Sequence, residues 1–167
     1  MSLKSNNLDG MSQKERVEKI LNNISKNKKL HVMNTPEFKS WSGEIETYYK
    51  NRKNDKVNLK PYEDIIFPSV SVGNVNSDIF LYAPEEIVVR MFYHANRGRY
   101  RNFFDIGANV GLDTLFGASL GWNVFSFEPD PYNFNKLKNN VALNNFKNIK
   151  LYQKAVSNIS SVSKFIS

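Results

Sequence analysis

Cysteine is absent from the chain, so neither a disulfide framework nor a thiolate metal site can form. No apolar run approaches the roughly 20 residues that cross a bilayer as a helix. Met1 to Leu30 is polar and lysine-rich rather than a secretory signal. These absences lead us to expect a cytoplasmic protein with no integral membrane segment. Gly-x-Ser-x-Gly is missing, as is a phosphate loop ending in Gly-Lys-Ser/Thr, and no His/Cys/Asp/Glu grouping has metal-ligand spacing. Hydrolase, nucleoside triphosphatase and metalloenzyme readings therefore have no support, and no metal is expected. Histidine is scarce: His31 falls in a polar connector and His94 near the end of a predicted helix, and both read as surface or packing residues rather than bases. The sequons Asn23-Ile24-Ser25 and Asn158-Ile159-Ser160 read as chance matches in a protein that is not secreted.

At 167 residues, with 41% hydrophobic and 13% aromatic content, the chain can build the core of one domain plus an N-terminal extension. Its net charge of +7 is uneven. Residues 1–60 hold 13 Lys+Arg against 7 Asp+Glu, whereas residues 61–167 hold 10 against 9. A basic extension can attract nucleic acid or an anionic surface. Here the lysines alternate with acids and form no run, which reads as a solvated helical face, and nucleic acid is an unlikely partner.

Ser12 and Glu15 form a capping box before Val17, Ile20, Leu21 and Ile24, predicting a short amphipathic helix from Ser12 to about Leu21 after a disordered start at residues 1–10. Thr35-Pro36 opens a second helix to about Lys50, whose stripe of Phe38, Trp41, Ile45 and Tyr48 or Tyr49 reads as a packing face. Asn51 to Lys60 reads as a polar linker. The runs Ser69–Val72 and Ile79–Tyr82 flank a Gly-Asn-rich turn and predict a β-hairpin. Pro84 then opens a helix to about Asn96, with Ile87, Val88, Met91 and Phe92 inward and Arg97 and Arg99 as C-terminal cations. This divides the chain into a basic helical extension (1–60), a hairpin and helix (61–98), and a site-bearing segment (99–167).

That last segment is the most informative. A strand from Asn102 to Ile106 runs into a turn where Gly107 and Gly111 leave bare backbone facing a ligand. The turn opens a helix from Leu112 to Leu120 that Gly121 stops, and Trp122 to Phe127 forms a second strand ending on Glu128. Asp130-Pro131 then launches a helix through Leu143, and Ile149 to Gln153 forms a third strand. Strand, glycine turn, helix, strand and acid is the βαβ logic of nucleoside recognition, in which the second acid accepts hydrogen bonds from ribose hydroxyls. The dinucleotide fingerprint needs glycine where Asn109 and Leu112 stand, so a nicotinamide or flavin dinucleotide is disfavoured.

Four ordered segments, Asp105–Gly111, Phe127–Pro131, Asn140–Asn144 and Lys154–Asn158, together resemble the FkbM-type S-adenosylmethionine-dependent methyltransferases, over roughly Pro84 to Ser167. The resemblance implies an α/β, Rossmann-like class I methyltransferase fold, incomplete here: three strands of a doubly wound sheet, part of a further strand, and the N-terminal helices and hairpin. It implies S-adenosylmethionine as cofactor. Gly107, Ala108, Asn109 and Gly111 pack on its methionine part, Asp105 faces its amino group, Glu128 holds the ribose, and the adenine lies near Ala155. Gln153-Lys154-Ala155 stands where related folds carry Gly-Asp-Ala, so an acid for the adenine amino group is missing. The implied acceptor is a small-molecule or glycan hydroxyl.

The alternation of Val162 to Ser167 predicts a strand with nothing after it, and we expect an N-terminal portion of a longer protein, inactive alone, whose catalytic base lies in the missing half. With Phe103, Phe104 and Ile106 then at a sheet edge, self-association is expected. A non-catalytic nucleoside-binding or interaction module is the alternative.

Overall fold

The structure, a computed structural model, describes residues 10–51, 56–57, 65–72 and 75–159. The strand expected at Val162–Ser167 and nearly all of the expected disordered start lie outside these residues.

Two helices begin the described chain. Helix α1 (Gln13–Lys26) starts with the capping box: the Glu15 amide donates to Ser12 Oγ, and the Ser12 amide donates back to the Glu15 carboxylate at 2.8 Å. It runs one turn beyond the expected Leu21, because Ile24 completes the buried stripe of Val17, Ile20 and Leu21. Asn27 then turns the chain into a short 3-10 segment, Lys28–His31. Helix α2 (Pro36–Lys50) opens on Thr35, whose hydroxyl accepts from the Phe38 amide, and buries Phe38, Trp41, Ile45 and Tyr49. The Trp41 indole donates to the Leu30 carbonyl at 3.0 Å, so the aromatic stripe is a packing face as its spacing predicts. His31 is a packing residue too, its Nε2 lying 2.8 Å from the Ile24 carbonyl.

The connecting region differs from expectation. Strand β1 (Lys56–Val57), in the stretch read as a linker, pairs antiparallel with β2 (Ile65–Ile66) and buries Val57. Strands β3 (Ser71–Val72) and β4 (Val75–Asn76) form the hairpin, so its second strand precedes the predicted Ile79–Tyr82, which is instead the helical turn α3 (Ile79–Tyr82). The reason is local: the Asn76 side-chain carbonyl accepts from the Asp78 amide and buried Ser77 accepts from the Val70 amide, which closes the ladder and turns the chain. A four-residue apolar run fits strand or helix equally well, and this turn decides between them.

Helix α4 (Pro84–Ala95) buries Ile87, Arg90 and Met91. The expected inward residues Val88 and Phe92 are less covered, and Phe92 is 49% exposed. The Arg97 guanidinium donates to the His94 carbonyl, as a C-terminal cation should. Then come β5 (Asn102–Ile106), α5 (Leu112–Ser119), β6 (Asn123–Phe127), α6 (Pro131–Ala142) and β7 (Ile149–Tyr152). The three strands form a parallel sheet in the order β5-β6-β7, compatible with a Rossmann-like fold. Asp130 caps α6 by accepting from the Asn133 amide.

The two faces of this sheet differ. One carries Val124 and Ser126, both buried, and lies against α5; a Cβ on Gly117 would meet the Phe103 ring at 2.8 Å, so helix and strand approach closely there. The other carries Phe104 and Ile106, exposed by 61% and 62%. Beside them, Phe104 stacks on Phe125, Phe127 stacks on Tyr152, and Lys150 lies over the Phe125 ring. One buried cluster joins α1, α2 and α4 to Leu112, Leu115 and Phe116 of α5. The N-terminal helices therefore brace the turn between β5 and α5.

Candidate functional site

The turn Gly107–Gly111 is shaped by three left-handed residues, Gly107 (φ 78°), Asn109 (φ 51°) and Gly111 (φ 92°). The two glycines serve different ends. Nothing lies within 4 Å of the position a Cβ would take at Gly107, so that residue faces open space. At Gly111 a Cβ would lie 2.3 Å from Leu137 Cδ1, so α6 fills the room on that side. The expectation that both glycines bare the backbone for a ligand therefore needs refining: the missing side chain of Gly111 admits a neighbour's leucine.

Four of the turn's amides bond to the protein itself. Gly107 and Ala108 both donate to the Phe127 carbonyl at 2.9 and 3.0 Å, Asn109 to Glu128 Oε2 at 2.8 Å, and Gly111 to the Ala108 carbonyl. Asn140 adds a side-chain bond to the Val110 carbonyl. Amides used in this way are not a phosphate cradle, which agrees with the lack of a dinucleotide fingerprint.

Beside the turn is a hollow of about 130 Å³, lined by Phe80, Glu86, Arg90, Asp105 and residues 107–113. Whole small-molecule sites run roughly 300–1,000 Å³, so this one suits an end of a ligand. Its charged wall is dominated by acids. Asp105 is pushed up to about 6 by burial, an effect opposed by the Thr114 hydroxyl and the Arg90 charge and reinforced by Asp113. Arg90, only 1% exposed, is held by Asp113 Oδ1 at 2.7 Å, Glu86 Oε2 at 3.0 Å and the Phe80 carbonyl. Three carboxylates thus surround one pinned guanidinium, and the hollow suits a cation.

Of the residues expected to bind a cofactor, Asp105, Gly107, Ala108, Asn109 and Gly111 line the hollow together. Glu128 does not; it is 6% exposed and brackets the turn to α6, its Oε1 accepting from the Asp130 amide while Oε2 takes the Asn109 amide. Ala155 lies in the exposed stretch after β7, away from the hollow's lining. His94 is also outside the lining, and burial and the Arg97 charge lower its pKa. Sequence reasoning missed Phe80, Glu86, Arg90 and Asp113. One signal for Arg90 was available: it is a charged residue between Ile87 and Met91 on an inward helical stripe, a position that needs buried partners.

Residues 105–167 match the Methyltransferase FkbM domain. The match supports a methyltransferase in general. It begins at Asp105 rather than at Pro84, so Phe80, Glu86 and Arg90 wall the hollow from outside the matched segment. No curated protein and no solved structure matches the chain significantly. Among the described residues no helix is long and apolar enough to cross a membrane, and no group of three or more His, Cys, Asp and Glu is arranged to hold a metal ion.

Proposed function

We propose that the chain carries the cofactor site of an S-adenosylmethionine-dependent methyltransferase that methylates a hydroxyl of a sugar or natural product in the cytoplasm. The observation that carries this reading is the acidic hollow beside a turn with four of its amides already engaged: it repels a phosphate and attracts an ammonium or sulfonium group. The residues present fit the amino-acid end of that cofactor. Asp105 offers a carboxylate to its amino group, and Asn109 offers a buried side-chain carbonyl that has no hydrogen-bond partner. Glu128 uses one lone pair of each oxygen on a backbone amide, which leaves the others for a ribose diol. The adenine is assigned to the neighbourhood of Ala155.

The bound cofactor supplies a methyl group activated by a positive sulfur. The chain's own residues bind and orient it, oppose its charge from a partly buried wall, and exclude water from one side. Calorimetry with S-adenosylhomocysteine on the full chain tests the reading. Saturable binding is expected, weakened about tenfold or more by Glu128→Ala through loss of a charge-assisted hydrogen bond. Undiminished affinity in that variant, or no binding by the parent protein, overturns it.

A further inference from the structure

A closed chain of hydroxyls lies behind the carboxylate of the hollow. Strand register sets Ser126 of β6 beside Asp105 of β5. Thr114, in the first turn of α5, reaches both: its Oγ1 lies 2.5 Å from Asp105 Oδ2 and 2.7 Å from Ser126 Oγ. Neither Thr114 nor Ser126 has exposed surface, so water does not complete their hydrogen bonding.

Each hydroxyl carries one proton, and the charge of one carboxylate decides where both protons go. With Asp105 ionised, Oδ2 can only accept, so Thr114 donates to it. The Thr114 oxygen is then the acceptor for the Ser126 hydroxyl. The two bonds point the same way and polarise each other. A proton placed on Oδ2 lets both reverse. Around this chain the charged and titratable groups are Asp113 on α5 and Glu86, Arg90 and Tyr93 on α4; burial, and after it Asp113 and Asp105, raise the Tyr93 phenol.

Resting on the reading of the hollow as the seat of the cofactor's amino end, we propose that Thr114 is a positioning residue. With Ser126 behind it, Thr114 holds one oxygen of Asp105 and so presents the ionised carboxylate to the cationic end of the ligand. Thr114 touches no ligand itself; it acts by keeping Asp105 charged and oriented. A purely space-filling role for residue 114 predicts that valine, of nearly the same shape, serves equally well, so the two roles separate cleanly.

The experiment uses the full chain with Thr114→Val, Thr114→Ser and Ser126→Ala, and two readouts. The first is the titration of the Asp105 side-chain carboxyl by carbon NMR without ligand. The second is calorimetric affinity for S-adenosylhomocysteine between pH 5 and 8. Thr114→Val is expected to raise the Asp105 midpoint and to weaken binding about tenfold at neutral pH, with Thr114→Ser restoring both. If the valine variant does not fold, Ser126→Ala carries the test, with a smaller upward shift expected because the donor behind Thr114 is gone. An Asp105 midpoint that none of these variants moves overturns the proposal. Binding by the parent protein with equal affinity in Thr114→Val overturns the role of Thr114 alone, whereas no binding by the parent protein at any pH overturns the cofactor reading on which it rests.

Discussion

Replacing Asp105 with asparagine should stabilise the protein at neutral pH and weaken its hold on a cationic ligand. The carboxyl titrates near 6 in the folded chain against an ordinary 3.8, because burial disfavours its charge. Between these values the folded state binds more protons than the unfolded state, so the contribution of Asp105 to stability is intact below about pH 4 and declines as pH rises through 6. At about 1.4 kcal/mol per pKa unit the full loss is about 3 kcal/mol. Asparagine has nearly the same shape, keeps an oxygen for the Thr114 hydroxyl, and does not titrate. The stability difference between variant and parent should therefore be near zero at pH 4 and reach about 2–3 kcal/mol in the variant's favour at pH 7.5. Urea unfolding followed by tryptophan fluorescence measures it, since Trp41 and Trp122 are both buried and report loss of packing. A difference that stays flat from pH 4 to 7.5, or an asparagine variant less stable at pH 7.5, refutes the claim that a strained carboxylate is held at the hollow. The trade of stability for charge is the pattern expected of a binding group.

Gly111→Ala should cost about 2–4 kcal/mol, from a left-handed backbone plus a collision with Leu137, whereas Gly107→Ala should cost about 1–2 kcal/mol from backbone conformation alone. Equal losses in denaturant titrations would contradict the two roles given to these glycines. Arg90→Met should destabilise by about 3 kcal/mol or more, since it strips Asp113 and the Phe80 carbonyl of a buried partner; a loss under about 1 kcal/mol would show the guanidinium to be dispensable. The exposed Phe104 and Ile106 should drive concentration-dependent association in sedimentation velocity, and Ile106→Lys should reduce it. A parent protein that stays monomeric across the concentration range would count against that surface as a contact site.

Much of the site was legible because its signals are local. Glycine at 107 and 111, the acids Asp105 and Glu128 at the ends of β5 and β6, and cap-plus-proline pairs at Thr35-Pro36 and Asp130-Pro131 act within a few residues of themselves. Strand β5 and the turn after it could be placed from such signals alone. The segment Ile79–Tyr82 could not, because helix and strand were separated there by the side chains of Asn76 and Ser77 bonding to the main chain. Nor could β1, a two-residue strand in a polar stretch, whose partner β2 is tied in turn to Asn144 of the loop after α6 through paired bonds at 2.8 Å.

By itself the sequence determined the order of the elements from β5 to β7, the acid-and-glycine grammar of the turn and the resemblance to a methyltransferase, since each depends on periodicity and on residue types a short distance apart. The tertiary structure alone decided that Arg90 and Glu86 wall the hollow, that Glu128 is bracketed behind the turn, that Leu137 fills the space beside Gly111, and that Ser126, Thr114 and Asp105 form one hydroxyl chain. Those facts arise from parallel strand register and from helices packing across the sheet. They join residues between 9 and 26 positions apart, whose side chains carry no mark of the partner they will meet.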